Sequence, residues 1–131
     1  MDIEITQWAL DAYLELKAKN IFSSKEYVSL IRPDSLLLQQ YPNHPKFNSG
    51  KFWSIATLNH QKIDHGFKMK WHQIGAGKVQ FRLTVAMLKN AILCAAYVKN
   101  DPKKEKRNLA KFKVYIQLIQ QGRYITRGVL K

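Results

Sequence analysis

Two runs of alternating apolar and polar side chains constrain the fold of this chain most strongly. The first run, Phe67–Trp71, alternates large apolar residues with lysines, and the second, Val79–Val85, alternates them with Gln, Arg and Thr. The intervening Gly75-Ala76-Gly77 supplies a turn. Successive side chains of a strand point to opposite faces of the sheet. The two runs therefore predict a β-hairpin with one apolar and one polar face.

The N-terminal third of the chain predicts helices. Apolar residues recur at helical spacing across Ile5–Leu16, which is typical of an amphipathic helix. Ser23 followed by Glu26 has the pattern of a capping box that opens a second helix. We expect Pro33 to break this helix and to begin a further helical stretch ending near Gln40.

The remaining segments complete the predicted architecture. Ala91–Val98 is apolar on both faces, which predicts a central third strand in a meander. Asp101 and Pro102 have the pattern of a cap and a first position of a C-terminal helix. Residues 41–66 predict a long loop with one short strand near 52–57. We therefore expect a single α+β domain, 1–131: N-terminal helices packed on a small antiparallel sheet, a short N-terminal strand and a C-terminal helix.

Charge is the second informative property of the chain. Lys and Arg exceed Asp and Glu by 22 to 9, giving a net charge of +13. Residues 1–65 are neutral, whereas residues 66–131 hold fifteen basic residues and only two acidic ones. Such concentrated positive charge favours a polyanionic partner. Nucleic acid is the leading interpretation, and an acidic protein or a membrane surface are the alternatives.

The absence of other signals narrows the function classes. The longest apolar run, Ala91–Val98, is less than half of a membrane span. The acidic N-terminus predicts no targeting segment, and the single Cys94 fits a reducing cytoplasm. His60 and His65 lack a metal-ligand spacing, so we predict neither a metal site nor another cofactor.

The polar face of the hairpin predicts a site for RNA cleavage without a metal ion. A base would deprotonate the ribose 2′-hydroxyl, the freed oxygen would attack phosphorus, and cations would stabilise the developing charge. On this face we expect side chains of Lys, Arg, His, Gln and Tyr, and no carboxylate. The predicted catalytic residues are Arg82 as phosphate ligand, His72 as acid or base, Lys99 as charge stabiliser, and Tyr97.

Further residues are predicted to bind RNA. Tyr97 and Tyr124 are candidates to stack on a base, and the basic residues supply phosphate contacts. The complete predicted RNA-binding set is Lys68, Lys70, Gln80, Lys103, Lys104, Lys106, Arg107 and Tyr124.

Three segments resemble the RelE/ParE toxin superfamily, most closely its HigB-type branch. They are Ile3-Glu4-Ile5-Thr6 with the first helix, Gln80-Phe81-Arg82-Leu83, and the stretch from Ala96 to Glu105. The resemblance implies the toxin of a type II toxin–antitoxin pair, a metal-free endoribonuclease that acts on messenger RNA, often at the ribosome. It also implies an acidic antitoxin partner. It places Arg82 at the family's phosphate-binding position and Lys99 or Lys103 at the basic position after the last core strand.

Two alternatives remain open from the sequence. One is a non-catalytic module that binds nucleic acid or an acidic protein through the same basic face. The other is a ParE-like toxin, which shares the fold but attacks DNA gyrase.

Overall fold

The chain folds into a six-stranded mixed sheet. The computed structural model describes all residues, 1–131. The strands are β1 Ile3–Thr6, β2 Trp53–Leu58, β3 Gln61–Gln73, β4 Val79–Met87, β5 Ala91–Val98 and β6 Thr126–Val129. They lie in the order β2-β3-β4-β5-β1-β6. All neighbouring pairs are antiparallel except β1, which runs parallel to β5. The predicted α+β class, the meander and the short N-terminal strand are confirmed.

The N-terminal helices pack on one face of the sheet. The first helix, Gln7–Ala18, begins where the Thr6 hydroxyl accepts a hydrogen bond from the Ala9 amide at 3.1 Å. Burial of apolar surface drives this packing. The core on this face combines helical residues with the apolar row of the hairpin, namely Ala9, Phe22, Ile31, Leu38 and Phe47 with Met69, Trp71, Phe81, Leu83 and Val85.

The second helical segment continues through Pro33, where the sequence predicted a break. Its successive parts are Ser24–Glu26 (α), Tyr27–Ile31 (π), Arg32–Leu36 (α) and Leu37–Gln40 (3₁₀). The Arg32 amide donates to the Tyr27 carbonyl, five residues earlier. This wider π spacing relieves the clash that a proline ring makes with a regular α-turn. The capping box of Ser23 and Glu26 and the end at Gln40 are confirmed.

The C-terminal helix, Pro102–Gln120, packs on the opposite face. Asp101 caps it by accepting a hydrogen bond from the Lys103 amide at 2.9 Å, and Pro102 occupies its first position, as predicted. The buried side of the helix and the sheet together form a second core. The helix contributes Leu109, Phe112, Ile116 and Ile119, and the sheet contributes Ala56, Ile63, Ala86, Ile92 and Cys94. No helix in the chain is both long and apolar enough to cross a membrane.

The predicted loop at 41–66 is wrong in extent. Irregular backbone is confined to residues 41–52, which include a 3₁₀ turn at Pro45–Asn48. β2 and the first half of β3 form a hairpin over the rest of this segment. The turn residues Asn59 and His60 both have positive φ, 52° and 65°. The last strand, Thr126–Val129, lies at the edge of the sheet and pairs with β1.

Candidate functional site

The C-terminal helix covers one end of its sheet face and leaves the other end polar. On this open part Lys70 pairs in register with Arg82, and Arg82 with Tyr97 on the next strand. Lys68 lies one row away, opposite Thr84. The predicted polar rows therefore share one surface. We call this surface the basic groove: Lys68, Lys70, Arg82 and Lys99, with Tyr97 and Glu105.

Arg82 is the most deeply placed cation of the groove. Its residue surface is only 3% exposed. One terminal nitrogen donates to the Phe81 carbonyl at 3.1 Å and contacts the Trp71 carbonyl at 3.4 Å, and the other donates to the Gln80 side-chain oxygen at 3.0 Å. The Nε atom is buried without a partner. The guanidinium is thus held in place by neutral oxygens and is not neutralised by an ion pair.

Burial and mutual repulsion act on the cations of the groove. Desolvation lowers the pKa of Arg82, and the charges of Tyr97 and Glu105 oppose this effect. Desolvation also lowers the pKa of Lys68 and of Lys70, and the charge of Arg82 lowers both further. Clusters of unneutralised cations of this kind concentrate at sites that bind anions.

The two lysines of β3 differ in their contacts. The Lys70 ammonium donates to the Gly50 carbonyl at 2.8 Å, which draws it toward the sheet edge. Lys68 is half-buried and its ammonium makes no hydrogen bond within the chain. Lys68 is therefore free to contact a ligand without first breaking an internal bond.

A carboxylate lies in the groove, contrary to the prediction that it holds none. The Tyr97 hydroxyl donates to Glu105 Oε2 at 2.8 Å. Glu105 precedes Leu109 by four residues, so it occupies the same stripe of the C-terminal helix as the core residues. That four-residue spacing is the sequence signal that places Glu105 on the face of the helix that meets the sheet.

The burial of Tyr97 argues against its predicted stacking on a base, and Tyr124 lies outside the groove. Tyr97 is 5% exposed, and burial first, then its hydrogen bond to Glu105, raises the pKa of its phenol. Tyr124 lies near β1 and β6, at the other end of the sheet, and its hydroxyl donates to Glu4 Oε1 at 3.0 Å. The Tyr97 ring is instead part of the frame of the groove.

His72 is not joined to the central residues of the groove. His72 comes directly after Trp71, whose pairing with Phe81 is the last one between β3 and β4, and its side chain is exposed. Its ring nitrogen contacts the Lys51 carbonyl at the sheet edge. No hydrogen bond connects it to Arg82, so its predicted acid–base role has no geometric support here.

Lys99 and Gln80 form one wall of the groove. The Lys99 amide donates to the Gln80 carbonyl at 2.8 Å, which extends the pairing of β4 and β5 by one residue. A cleft of about 250 Å³ opens beside them toward the start of the C-terminal helix, and it is lined by Gln80, Lys99, Asn100, Asp101, Pro102 and Glu105.

The start of the C-terminal helix adds exposed positive charge next to this cleft. The predicted RNA-binding residues Lys103, Lys104, Lys106 and Arg107 are all exposed. The only ion pairs in the chain are Lys19–Glu15 and Lys46–Asp34, both in the neutral half. The positive charge of residues 66–131 is therefore not neutralised by ion pairs within the chain.

Known proteins give no information on the function of this chain, so its function is inferred from the groove. The chain matches no family model, no curated protein and no solved structure. No group of three or more His, Cys, Asp or Glu side chains is placed to hold a metal ion.

Proposed function

We propose that this protein is a metal-free endoribonuclease that cleaves messenger RNA, and that it acts as the toxin of a type II toxin–antitoxin pair. The observation that carries the proposal is the basic groove, in which a fixed, buried guanidinium lies beside further cations and one carboxylate. The resemblance of the Gln80–Leu83 segment to the arginine strand of RelE/ParE toxins supports it.

Arg82 is the phosphate ligand in this proposal. Its outer nitrogen donates to Gln80 Oε1 at 3.0 Å, and this neutral amide oxygen occupies a position suited to a phosphoryl oxygen. A charge-assisted bond to phosphate is roughly twice as strong as a bond between neutral groups. RNA binding would therefore displace the Gln80 side chain, which then becomes available to the neighbouring nucleotide.

The lysines stabilise the charge that develops on the phosphoryl oxygens during attack by the 2′-hydroxyl. Positioned cations act strongly in a partly desolvated site, where removal of one donor typically costs about 10²- to 10³-fold in rate. Lys68 and Lys99 are the main candidates, since Lys70 is bonded to the Gly50 carbonyl. The exposed cations at the start of the C-terminal helix would guide the RNA backbone into the groove.

The charge of the molecule also defines its proposed partners. The net charge of +13 suits an acidic antitoxin protein, which would cover the same groove and block access of RNA to it. The proposed substrate, messenger RNA free or bound to ribosomes, places the activity in the cytoplasm.

Induced expression tests the proposal. We expect the wild-type chain to arrest growth and to fragment messenger RNA, and Arg82→Ala to do neither while it accumulates as folded protein. Glu15→Gln, a change on the opposite, neutral part of the chain, is the control and should behave as wild type. Intact RNA without arrest would favour a non-catalytic binding module. Arrest with intact RNA would favour a gyrase-type target.

A further inference from the structure

Glu105 combines features that a purely structural residue would not need. It is half-buried, and Oε2 accepts the Tyr97 hydroxyl at 2.8 Å while Oε1 makes no hydrogen bond within the chain. Its stripe position on the C-terminal helix is otherwise filled by apolar side chains such as Leu109 and Phe112. A partly buried carboxylate with one fixed and one free oxygen is costly unless it interacts with other groups.

Glu105 lies beside the groove, at the start of the C-terminal helix. Glu105 lines the polar cleft of about 250 Å³ together with Gln80 and Lys99. The charge of Glu105 opposes the lowering of the pKa values of Lys68, Lys70 and Arg82. It is the one carboxylate among the residues of the groove.

We infer that Glu105 is the general base of this site and that Tyr97 is the residue that positions it. This inference rests on the proposed ribonuclease function and names the base for it. The Tyr97 hydroxyl fixes one carboxylate oxygen, which leaves the other directed at the substrate. A positioned base typically contributes about 10²- to 10⁴-fold to the rate.

The reaction step balances with groups that the groove contains. Glu105 takes the proton of the ribose 2′-hydroxyl, the 2′-oxygen forms a bond to phosphorus, and the bond from phosphorus to the 5′-oxygen breaks. The leaving 5′-oxygen keeps the electron pair and takes a proton from the Lys68 ammonium. The products carry a 2′,3′-cyclic phosphate and a 5′-hydroxyl. Exchange with water then returns a proton to Lys68 and removes one from Glu105.

Lys68 suits the acid role for two reasons. Its ammonium makes no hydrogen bond within the chain, and it lies one row from Arg82, beside the bound phosphate of the proposed complex. Desolvation lowers its pKa, and although the charge of Glu105 opposes this, the pKa stays below its ordinary value, which makes proton donation easier.

The pH dependence of the reaction distinguishes a base from a structural carboxylate. The charged and titratable groups around Glu105 come from every element packed against it. They are Lys68 and Lys70 on β3, Arg82 on β4, Tyr97 and Lys99 on β5, Asp101 and Lys106 at the start of the C-terminal helix, and His60 in the turn between β2 and β3. A general base acts in its deprotonated form, so a rate that depends on Glu105 as the base should rise with pH, and Glu105→Gln should lose this rise. Tyr97→Phe removes a hydrogen bond that stabilises the carboxylate, so it should move this rise to higher pH.

The test measures cleavage of a defined messenger RNA, both free and in a reconstituted translation system, by wild type, Glu105→Gln, Glu105→Asp and Tyr97→Phe. Binding is measured separately with a 2′-O-methyl RNA of mixed sequence, which cannot react. We expect Glu105→Gln to lose about 10²-fold or more in rate with the low-pH limb removed, and to bind the analogue as wild type does. Glu105→Asp should keep the low-pH limb at a reduced rate, and Glu15→Gln should match wild type.

The outcomes distinguish a wrong assignment of the base from a wrong assignment of the ribonuclease function. Wild-type cleavage with an unchanged rate and pH profile in Glu105→Gln overturns the assignment of the base and leaves the ribonuclease intact. Absence of wild-type cleavage on both free and ribosome-bound RNA overturns the proposed function and the assignment together. If Glu105→Gln fails to fold by circular dichroism, Glu105→Asp and Tyr97→Phe decide: unchanged pH profiles in both reject the assignment.

Discussion

At the scale of single residues, Arg82 is the clearest sign of a functional site. It is a buried cation without a carboxylate partner, and its Nε has no hydrogen bond. Such a group costs free energy in the folded protein, and replacing buried charged groups by apolar ones is often neutral or stabilising. A residue that lowers the stability of the fold in this way indicates a functional role, and we propose that this role is phosphate binding.

Arg82→Met should separate stability from activity. Methionine fills similar space without a buried charge, so we expect the free energy of unfolding to stay within about 1 kcal/mol of wild type or to rise by up to about 4 kcal/mol. Cleavage of RNA should be lost. Urea denaturation and a cleavage assay on the same preparation measure both properties. A variant that is clearly less stable than wild type would instead make Arg82 a structural residue.

Lys68→Met should stabilise the protein in a pH-dependent manner. Desolvation lowers the pKa of Lys68 in the folded state, so at neutral pH the charged amine destabilises the fold. Between the folded and unfolded pKa values the unfolded chain binds more protons, and the stability of wild type rises with pH there. The advantage of Lys68→Met should therefore be largest near pH 7 and shrink as the pH approaches the unfolded lysine value of about 10.4. A constant difference across this range would contradict the account.

At the scale of elements, the sequence predicts whatever depends on local periodicity. The alternation in β3 and β4, the capping box at Ser23 and the cap at Asp101 all specify structure within a few residues of themselves. Residues 41–66 were harder because the hairpin of β2 and β3 has an irregular register between Ile55 and Thr57. Pairing across the sheet, rather than local pattern, decides its structure.

In the candidate site, too, features set by local periodicity are predictable and features set by packing are not. The shared surface of Lys70 and Arg82 follows from period two and hairpin pairing, and was predicted. The Tyr97–Glu105 bond joins a strand to a helix beyond an intervening turn, so it depends on how the helix packs. The burial of Tyr97 has the same origin, because its own alternation cannot reveal which parts of the face the helix covers.

Gly66→Ala should test the packing of the C-terminal helix on β3. A Cβ at Gly66 would lie 2.9 Å from atoms of both Ile63 and Phe112, closer than carbon atoms tolerate. We expect a loss of about 1–3 kcal/mol in the free energy of unfolding, as for other overpacked cores. Gly50→Ala is the matched control, since nothing lies within 4 Å of a Cβ there. Equal unfolding free energies for the two variants would contradict the described packing.

At the scale of the whole molecule, the neutral and the basic halves of the chain differ in what they contribute. Its neutral half, residues 1–65, supplies the helices that cover the first core and both of the ion pairs. Its basic half supplies the apolar strand face of that core, the groove and the exposed cations of the C-terminal helix. One sheet connects the halves through β1 and β5. This arrangement presents unneutralised charge on a rigid frame, which suits rapid capture of a polyanion.

RNA binding should accordingly depend steeply on salt. For single-stranded nucleic acid, the logarithm of affinity falls with the logarithm of salt concentration by about 0.7 for each phosphate contact. Lys103→Gln combined with Lys104→Gln should lower this slope by about 1.4 if each residue contacts one phosphate. Fluorescence anisotropy with a 2′-O-methyl RNA at several salt concentrations measures the slope. An unchanged slope would place the RNA away from the C-terminal helix.

The chemistry of the cleaved ends tests the central claim most directly. Purified wild-type protein is incubated with free messenger RNA in the presence of EDTA and with ribosome-bound messenger RNA in a magnesium buffer, and the fragment ends are identified by mass spectrometry. We expect cleavage to persist, to give 2′,3′-cyclic phosphate and 5′-hydroxyl ends, and to stop when the 2′-hydroxyl at the cleaved position is replaced by hydrogen. Cleavage of free RNA that stops in EDTA, or cleavage of either RNA that continues at a 2′-deoxy position, would contradict the account.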